Sequence, residues 1–351
     1  MTEWPFTIAE LTAGLRRYFA ESALKVKSVN EYPLQLVGRA GQVRGLRVEY
    51  GVGSETVFID CVVKEPKGTS RAGLAGAGRR EVGVYQSLAT QLPMPTPALI
   101  AADPLGDWLV LEAVEADIAP DEWTAEDYRQ GVGTLAALHE RFWTLAEDLS
   151  AYKWLARPLT GDFEIHVYAA AQAIEKMILD DRPQPITSSM TVLGALGQMI
   201  SQVEQVAAPL RAAPQTFLHG DFWPGNVALQ ADGEMVVMGW QSAGLGPGIL
   251  DLVTFITASR WQRQELPVAC EDLIALYHDE MRQRVDAPWS EEEWAAQWDY
   301  ALIWRFVQEM FVWVTSTPPA AFEARAAQFE EIWLNPVLEA VERRLRPVFY
   351  I

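Results

Sequence analysis

Leu218-His219-Gly220-Asp221-Phe222-Trp223-Pro224-Gly225-Asn226 is the stretch on which the reading of this chain turns. The short apolar runs Thr216-Phe217-Leu218 and Val227-Ala228-Leu229 flank it and have the composition of strands. The stretch therefore reads as a loop between two strands. It holds one Asp and one Asn, five positions apart, that can face a common point. A plain turn built on Gly220 would use the same residues, so the meaning of the loop depends on its surroundings. Just downstream, Ala231-Asp232-Gly233-Glu234 reads as a hairpin turn leading into Met235-Val236-Val237-Met238.

Outward from the loop, the chain has two textures. Residues 34–64 read as β: Leu46-Arg47-Val48-Glu49-Tyr50 alternates, Gly51-Val52-Gly53-Ser54 turns, and residues 56–64 are rich in β-branched side chains. A Gly/Ala-rich stretch, residues 68–78, reads as a mobile loop. Residues 79–89 then carry Val82, Tyr85 and Leu88 along one helix face, and Pro93, Pro95 and Pro97 end that helix. Trp108-Leu109-Val110-Leu111 reads as a short buried strand, followed by an acidic connector over residues 112–121. Beyond it the pattern is helical. Thr124 and Asp127 form a capping box in front of Tyr128, Val132, Leu135, Leu138, His139 and Phe142, which share one face. Residues 162–210 also read as mostly helical. Ser290 and Glu293 cap a helix running into residues 301–314, an apolar run that contains Arg305, Gln308 and Glu309 and reads as a buried core helix. A β-rich lobe with one helix, then a mostly helical lobe with a small hairpin inside it, is an α+β arrangement rather than alternating βαβ.

Composition bounds the function. The chain has 351 residues, half of them apolar and 21% charged, which is a globular balance. Lys plus Arg is 28 against 47 Asp plus Glu, a net charge of −19. No long basic run exists, so nucleic acid and an anionic membrane surface are not expected partners. No apolar run approaches the length of a membrane span, and the N-terminus lacks the charged and apolar regions of a signal peptide. Cys61 and Cys270 are far apart and outside any CxxC or Cys/His cluster, which points to reduced thiols in a cytoplasmic protein. The four His residues (His139, His166, His219, His278) are scattered and imply no metal cluster.

The loop supplies the chemistry. Asp221 can accept the proton of a substrate hydroxyl, and the side-chain oxygen of Asn226 can ligate a hard cation such as Mg²⁺. That pairing belongs to phosphoryl transfer, where positioning and charge neutralisation do most of the work. His219-Gly220-Asp221 followed by Asn226 resembles the aminoglycoside phosphotransferase and choline kinase group, whose fold is bilobal and protein-kinase-like. Other segments carry the same resemblance: Val62-Val63-Lys64, Arg80-Glu81 with Tyr85, Leu92-Pro93-Met94-Pro95-Thr96-Pro97, Leu135-Ala136-Ala137-Leu138-His139, and Gly246-Pro247-Gly248-Ile249-Leu250-Asp251-Leu252. The match runs over residues 35–260. It implies an N-lobe over residues 1–112 that binds nucleotide, and a helical C-lobe over 113–351 with the catalytic loop and a substrate-binding insert at about residues 155–210. It further implies that Asp221 is the catalytic Asp, that Asn226 is a metal ligand, that Lys64 holds the phosphates of ATP and that Glu81 holds Lys64. An ordinary surface ion pair is the competing reading of Lys64 and Glu81. His219 reads as an anchor of the loop and His139 as part of an apolar helix face, rather than as acid–base groups. Gly38-Arg39-Ala40-Gly41-Gln42-Val43-Arg44-Gly45 lies where a phosphate-covering loop would lie, and equally reads as a Gly-rich hairpin.

The chain departs from the family at one position. The family places a second metal-binding Asp just before a Trp after the hairpin; here Val237-Met238-Gly239-Trp240-Gln241 has Gly239 there. Three readings stay open: an ATP-dependent O-phosphotransferase acting on a small hydroxylated molecule, a pseudokinase that binds a nucleotide or metabolite as sensor or scaffold, and a kinase fold repurposed for another ligand. The acidic balance favours a cationic or amine-bearing acceptor, and Trp154, Tyr168, Trp298, Trp304 and Trp313 read either as a wall for such a cation or as core.

Overall fold

Alternation over Gln42–Val52 (β2) and Glu55–Glu65 (β3) folds the chain back as a long antiparallel hairpin, with Leu46 opposite Cys61 and Val48 opposite Ile59. The computed structural model describes residues 3–34, 42–53, 55–66, 75–285 and 289–345, without the side chains of 184 and 185. The hairpin is the centre of a five-stranded antiparallel sheet of order β1-β2-β3-β5-β4, completed by β1 (Lys25–Tyr32), β4 (Leu99–Ala102) and β5 (Leu109–Glu112). Inward-facing Leu46, Val48, Cys61, Val63, Ile100 and Val110 form its core with Leu11 and Leu15 of helix α1 (Ile8–Tyr18). Removing such side chains from water contributes roughly 1.5–3 kcal/mol each. Burial pushes the Cys61 thiol up to about 12, as expected of an inert core thiol. Helix α1 starts in a capping box between Thr7 and Glu10. It lies so close to β4 that a Cβ at Gly14 would stand 2.2 Å from the Ile100 carbonyl oxygen. Both α1 and β1 precede residue 34, where the sequence reading began the β region.

Helix α2 (Ala77–Ser87) starts two residues before the expected position. Residues 68–74 of the Gly/Ala-rich stretch lie outside the described residues, as do Gly38–Gly41 of the candidate phosphate loop. Gln42 to Gly45 of that loop belong to β2.

The remaining chain is mostly helical. Helix α3 (Ala125–Arg141) has the expected Thr124–Asp127 box, and Tyr128, Val132, Leu135, Leu138 and His139 are buried along it. Helices α4 (Ala146–Leu149), α5 (Phe163–Asp180), α6 (Gln184–Thr187), α7 (Met190–Ser201) and α8 (Val203–Ala212) follow. The helical run over 162–210 is broken after α5, where Asp181 takes a left-handed φ of 48°. The short strands come next: β6 (Thr216–Leu218), β7 (Val227–Leu229), β8 (Met235–Val237) and β9 (Gly244–Gly246). The two strands flanking the decisive loop pair with different partners, β6 with β9 and β7 with β8. Helices α9 (Ile249–Gln262), α10 (Cys270–Arg284) and α11 (Glu291–Arg305) follow, the last entered through the Ser290–Glu293 box. The predicted continuous run over 301–314 is interrupted by a π-helical segment, Phe306–Met310, before α12 (Phe311–Ser316). Helices α13 (Pro319–Glu323), α14 (Ala326–Phe329) and α15 (Asn335–Arg344) complete the order.

The chain divides into two compact units. One takes in the described residues of Met1–Ser70, Leu74–Ala119 and Asn226–Ser242. The other takes in those of Pro120–Gly225 and Ala243–Ile351. The β7–β8 hairpin, placed by the sequence reading within the second lobe, groups with the sheet. Its edge accounts for this: Asp117 and Ile118 donate backbone N–H groups to the Leu229 carbonyl, and Val237 N–H donates to the Pro95 carbonyl.

Candidate functional site

In the sheet unit, β3 carries Lys64 to its C-terminal end, where α2 presents Glu81. The Lys64 ammonium donates to the Glu81 carboxylate at 2.6 Å. The Glu81 side chain is 2% exposed and that of Lys64 is 19% exposed. This is no surface ion pair. Taking a carboxylate out of water costs several kcal/mol, which only a close partner offsets. Its neighbour Arg80 is buried too, donating from Nε to the Gln241 carbonyl and from Nη1 to the Ala75 carbonyl. One turn later, burial and then the Glu81 charge raise the Tyr85 phenol well above its ordinary range.

Arg80 ties α2 to the segment that follows the β7–β8 hairpin. Trp240 Nε1 donates to Thr96 Oγ1 at 3.1 Å, and Met238 N–H donates to the Asn226 carbonyl at 2.9 Å. Between them Gly239 has a left-handed φ of 83°, a region that L side chains enter at a cost. A Cβ built on Gly239 would stand 2.7 Å from Asn226 Oδ1 and 2.9 Å from its Cγ. The amide of Asn226 thus occupies the room a side chain at 239 would need. The remaining donor is one neutral amide oxygen, and no group of three His, Cys, Asp or Glu able to hold a metal exists among the described residues. Mg²⁺ favours several oxygen donors with carboxylates among them, and this set does not fit a Mg²⁺ held by the protein itself.

In the helical unit, β6 delivers the chain into His219-Gly220-Asp221. Asp251, buried in the first turn of α9, accepts from both His219 N–H (2.7 Å) and Gly220 N–H (2.8 Å). Gly220 has a φ of 81°, so the turn needs glycine. His219 Nδ1 accepts from Asp221 N–H at 3.2 Å. His139 of α3 places Nε2 3.3 Å from Asp251 and Nδ1 2.6 Å from the Tyr277 hydroxyl. Burial works to raise the Asp251 carboxyl, but the hydrogen bond and charge of His139, the charge of His219 and the Gly220 N–H hold it below the usual range. His219 therefore anchors the loop, as expected from the sequence, and His139, expected as part of an apolar helix face, is buried and supports Asp251. On the other side of the loop, Arg305 Nη2 donates to the Gly220 carbonyl at 2.9 Å. Downstream, the Trp223 ring lies over Gly225, where a Cβ would stand 2.2 Å from it.

The structure thus brings Lys64 and Glu81 together, and Asn226 against Gly239, within one unit. Asp221 is half-buried in the other. Sequence reasoning named Arg80 and Arg305 but gave neither a role. The signal for Arg305 was visible: a charge in an apolar helical run needs a partner. Of the candidate aromatic wall, Trp304 is core, stacked on Phe163 at 5.3 Å, and Trp313 packs on Trp261 and Phe329. Tyr168 is 66% exposed.

A family model described as the phosphotransferase enzyme family matches residues 62–288, more than half of the chain. The chain belongs to this family. No curated protein sequence matches this family member directly. Solved structures do. Choline kinase LicA from Streptococcus pneumoniae is 17% identical, with 93% of this chain and 96% of that chain covered and a TM-score of 0.50; a second LicA structure is in complex with AMP. An aminoglycoside phosphotransferase from Alicyclobacillus acidocaldarius is 14% identical over 97% of each chain, with a TM-score of 0.51. A microcompartment-associated aminopropanol kinase is 13% identical, covering 96% of this chain and 99% of that one, with a TM-score of 0.51. At these identities the likeness shows the fold, an α+β kinase-like phosphotransferase with an antiparallel sheet and a helical region, as expected from the sequence. No described helix of this phosphotransferase is long and apolar enough to cross a membrane.

Proposed function

We propose that this phosphotransferase moves the terminal phosphoryl group of ATP, or another nucleoside triphosphate, to a hydroxyl of a small molecule. Asp221 takes the acceptor's proton as its oxygen forms the new bond to the γ-phosphorus. The bond from that phosphorus to the bridging oxygen breaks, and the nucleoside diphosphate leaves. Lys64, held by Glu81, neutralises phosphate charge on the nucleotide. The observation that carries this reading is the Lys64–Glu81 pair at 2.6 Å with Glu81 buried. A carboxylate desolvated to orient one lysine is costly and has a use where a phosphate must be met. Two relatives are a choline kinase and an aminopropanol kinase, and choline and aminopropanol are small alcohols that carry a cationic nitrogen. The net charge of −19 suits such an acceptor.

Gly239 favours a second reading, a nucleotide-binding pseudokinase, because no carboxylate is present there and the Asn226 amide fills the room. Losing about 4 kcal/mol of transition-state stabilisation slows chemistry roughly a thousandfold. Calorimetric titration of ATP with Mg²⁺ and then with excess chelator, beside a screen of hydroxylated amines for ADP release, separates the two. Turnover that disappears in Asp221→Asn while the melting temperature is kept supports the transferase. ATP binding indifferent to Mg²⁺, with no turnover on any acceptor, supports the pseudokinase. An active Asp221→Asn protein overturns the role given to Asp221.

A further inference from the structure

The peptide group joining Gly220 to Asp221 is held at both ends. Its N–H, which belongs to Asp221, donates to His219 Nδ1 at 3.2 Å. Its C=O, which belongs to Gly220, accepts from Arg305 Nη2 at 2.9 Å. The plane of this peptide fixes ψ of Gly220 and φ of Asp221, and so the direction in which the Asp221 side chain leaves the backbone. Gly220, at φ 81°, is the residue with the most freedom to let that plane rotate. One end of the clamp is local, two residues away in sequence. The other comes from α11, 85 residues away.

Arg305 is built for the task. It is 5% exposed and sits where α11 passes into the π-helical segment Phe306–Met310. The same guanidinium donates to Thr254 Oγ1 on α9 and, through Nη1, to Gln308 Oε1 at 3.0 Å. Its charge is met by Glu309 at 3.0 Å. Gln308 and Glu309 both lie within the π segment. Such segments are rare and recur at functional sites. A buried arginine whose only use was packing would be replaceable, since apolar residues of similar volume fill such positions as well or better.

We propose that Arg305 is a positioning residue for phosphoryl transfer. It locks the Gly220–Asp221 peptide against His219 and thereby aims the Asp221 carboxylate. The π segment holds the guanidinium in register through Gln308 and Glu309. The proposal rests on the role given to Asp221 above.

The test separates aiming from stability. Arg305→Met alone removes the cation that meets Glu309, and lowered stability would confound it. The double variant R305M/E309Q removes both charges, the buried arginine together with its partly exposed partner, so that no unpaired buried charge is left behind. The expected result is a melting temperature close to wild type, KM for ATP within about twofold, and kcat lower by about tenfold to a hundredfold, the loss that a displacement of about 1 Å produces. Arg305→Lys, which keeps the charge but loses the planar fork, should recover only part of kcat. Amide hydrogen exchange gives a readout that needs no turnover: the Asp221 amide should exchange faster in the double variant, with β6 and α9 amides unchanged. Wild-type kcat in a stable double variant overturns the proposal. So does unaltered Asp221 exchange. Should the wild-type protein lack turnover, the exchange result decides the clamp on its own, while the transferase reading fails separately.

Discussion

At the scale of single residues, Gly239 matters most. A carboxylate there would need the left-handed φ of 83° and displacement of the Asn226 amide, 2.7 Å from the new Cβ. Asp is among the L residues that tolerate this region best, yet it still costs about 1–2 kcal/mol. Gly239→Asp is therefore expected to lower the melting temperature by a few degrees. It should also make ATP binding more strongly dependent on Mg²⁺, because it adds the charged oxygen donor that the set lacks. Calorimetry with and without chelator reads the second effect, and an unchanged Mg²⁺ dependence would show that position 239 does not face the nucleotide phosphates. The absence of Asp at 239 was legible in the sequence. The amide of Asn226 filling the vacated room was not, because a glycine's neighbours are set by how the β7–β8 hairpin closes.

Among elements, the start of α9 ties down the loop. Asp251 accepts two loop N–H groups and faces His139 of α3, which in turn meets Tyr277 of α10. Its carboxyl is held below the usual range, so its contribution to stability is fully present above the ordinary carboxylate pKa of about 4 and is lost as pH falls through the lowered folded value. Thermal melts from neutral to acid pH should show wild-type stability falling in that acid window. An Asp251→Asn protein should start about 3–5 kcal/mol lower at neutral pH, as expected when one partner of a buried ionic contact is removed. It should also lose less on acidification, and parallel curves would mean that Asp251 does not titrate as described. The element boundaries set by side chains next to the backbone were readable: Thr124–Asp127 and Ser290–Glu293 cap α3 and α11 as their spacing implied. The break in the run over 301–314 was not readable, because the π segment forms where Arg305 meets the Gly220 carbonyl and Thr254, both distant in sequence.

For the whole molecule, the charge of −19 predicts a salt effect. A cationic acceptor approaching a strongly acidic protein gains from a field that about 0.1 M salt screens beyond about 10 Å. KM for an amine-bearing alcohol should rise with ionic strength while KM for a neutral polyol stays flat. Equal responses of the two would show that the net charge plays no part in drawing substrate.

The sequence by itself pointed to the family and the α+β class and placed the caps at Thr124 and Ser290, because each is written in local spacing or in a short motif. Tertiary structure alone decided that the Lys64–Glu81 pair is buried, that the β7–β8 hairpin groups with the sheet, and that Arg305 reaches the Gly220 carbonyl. Burial and pairing are properties of what the rest of the chain brings up against a residue, and no local pattern carries them.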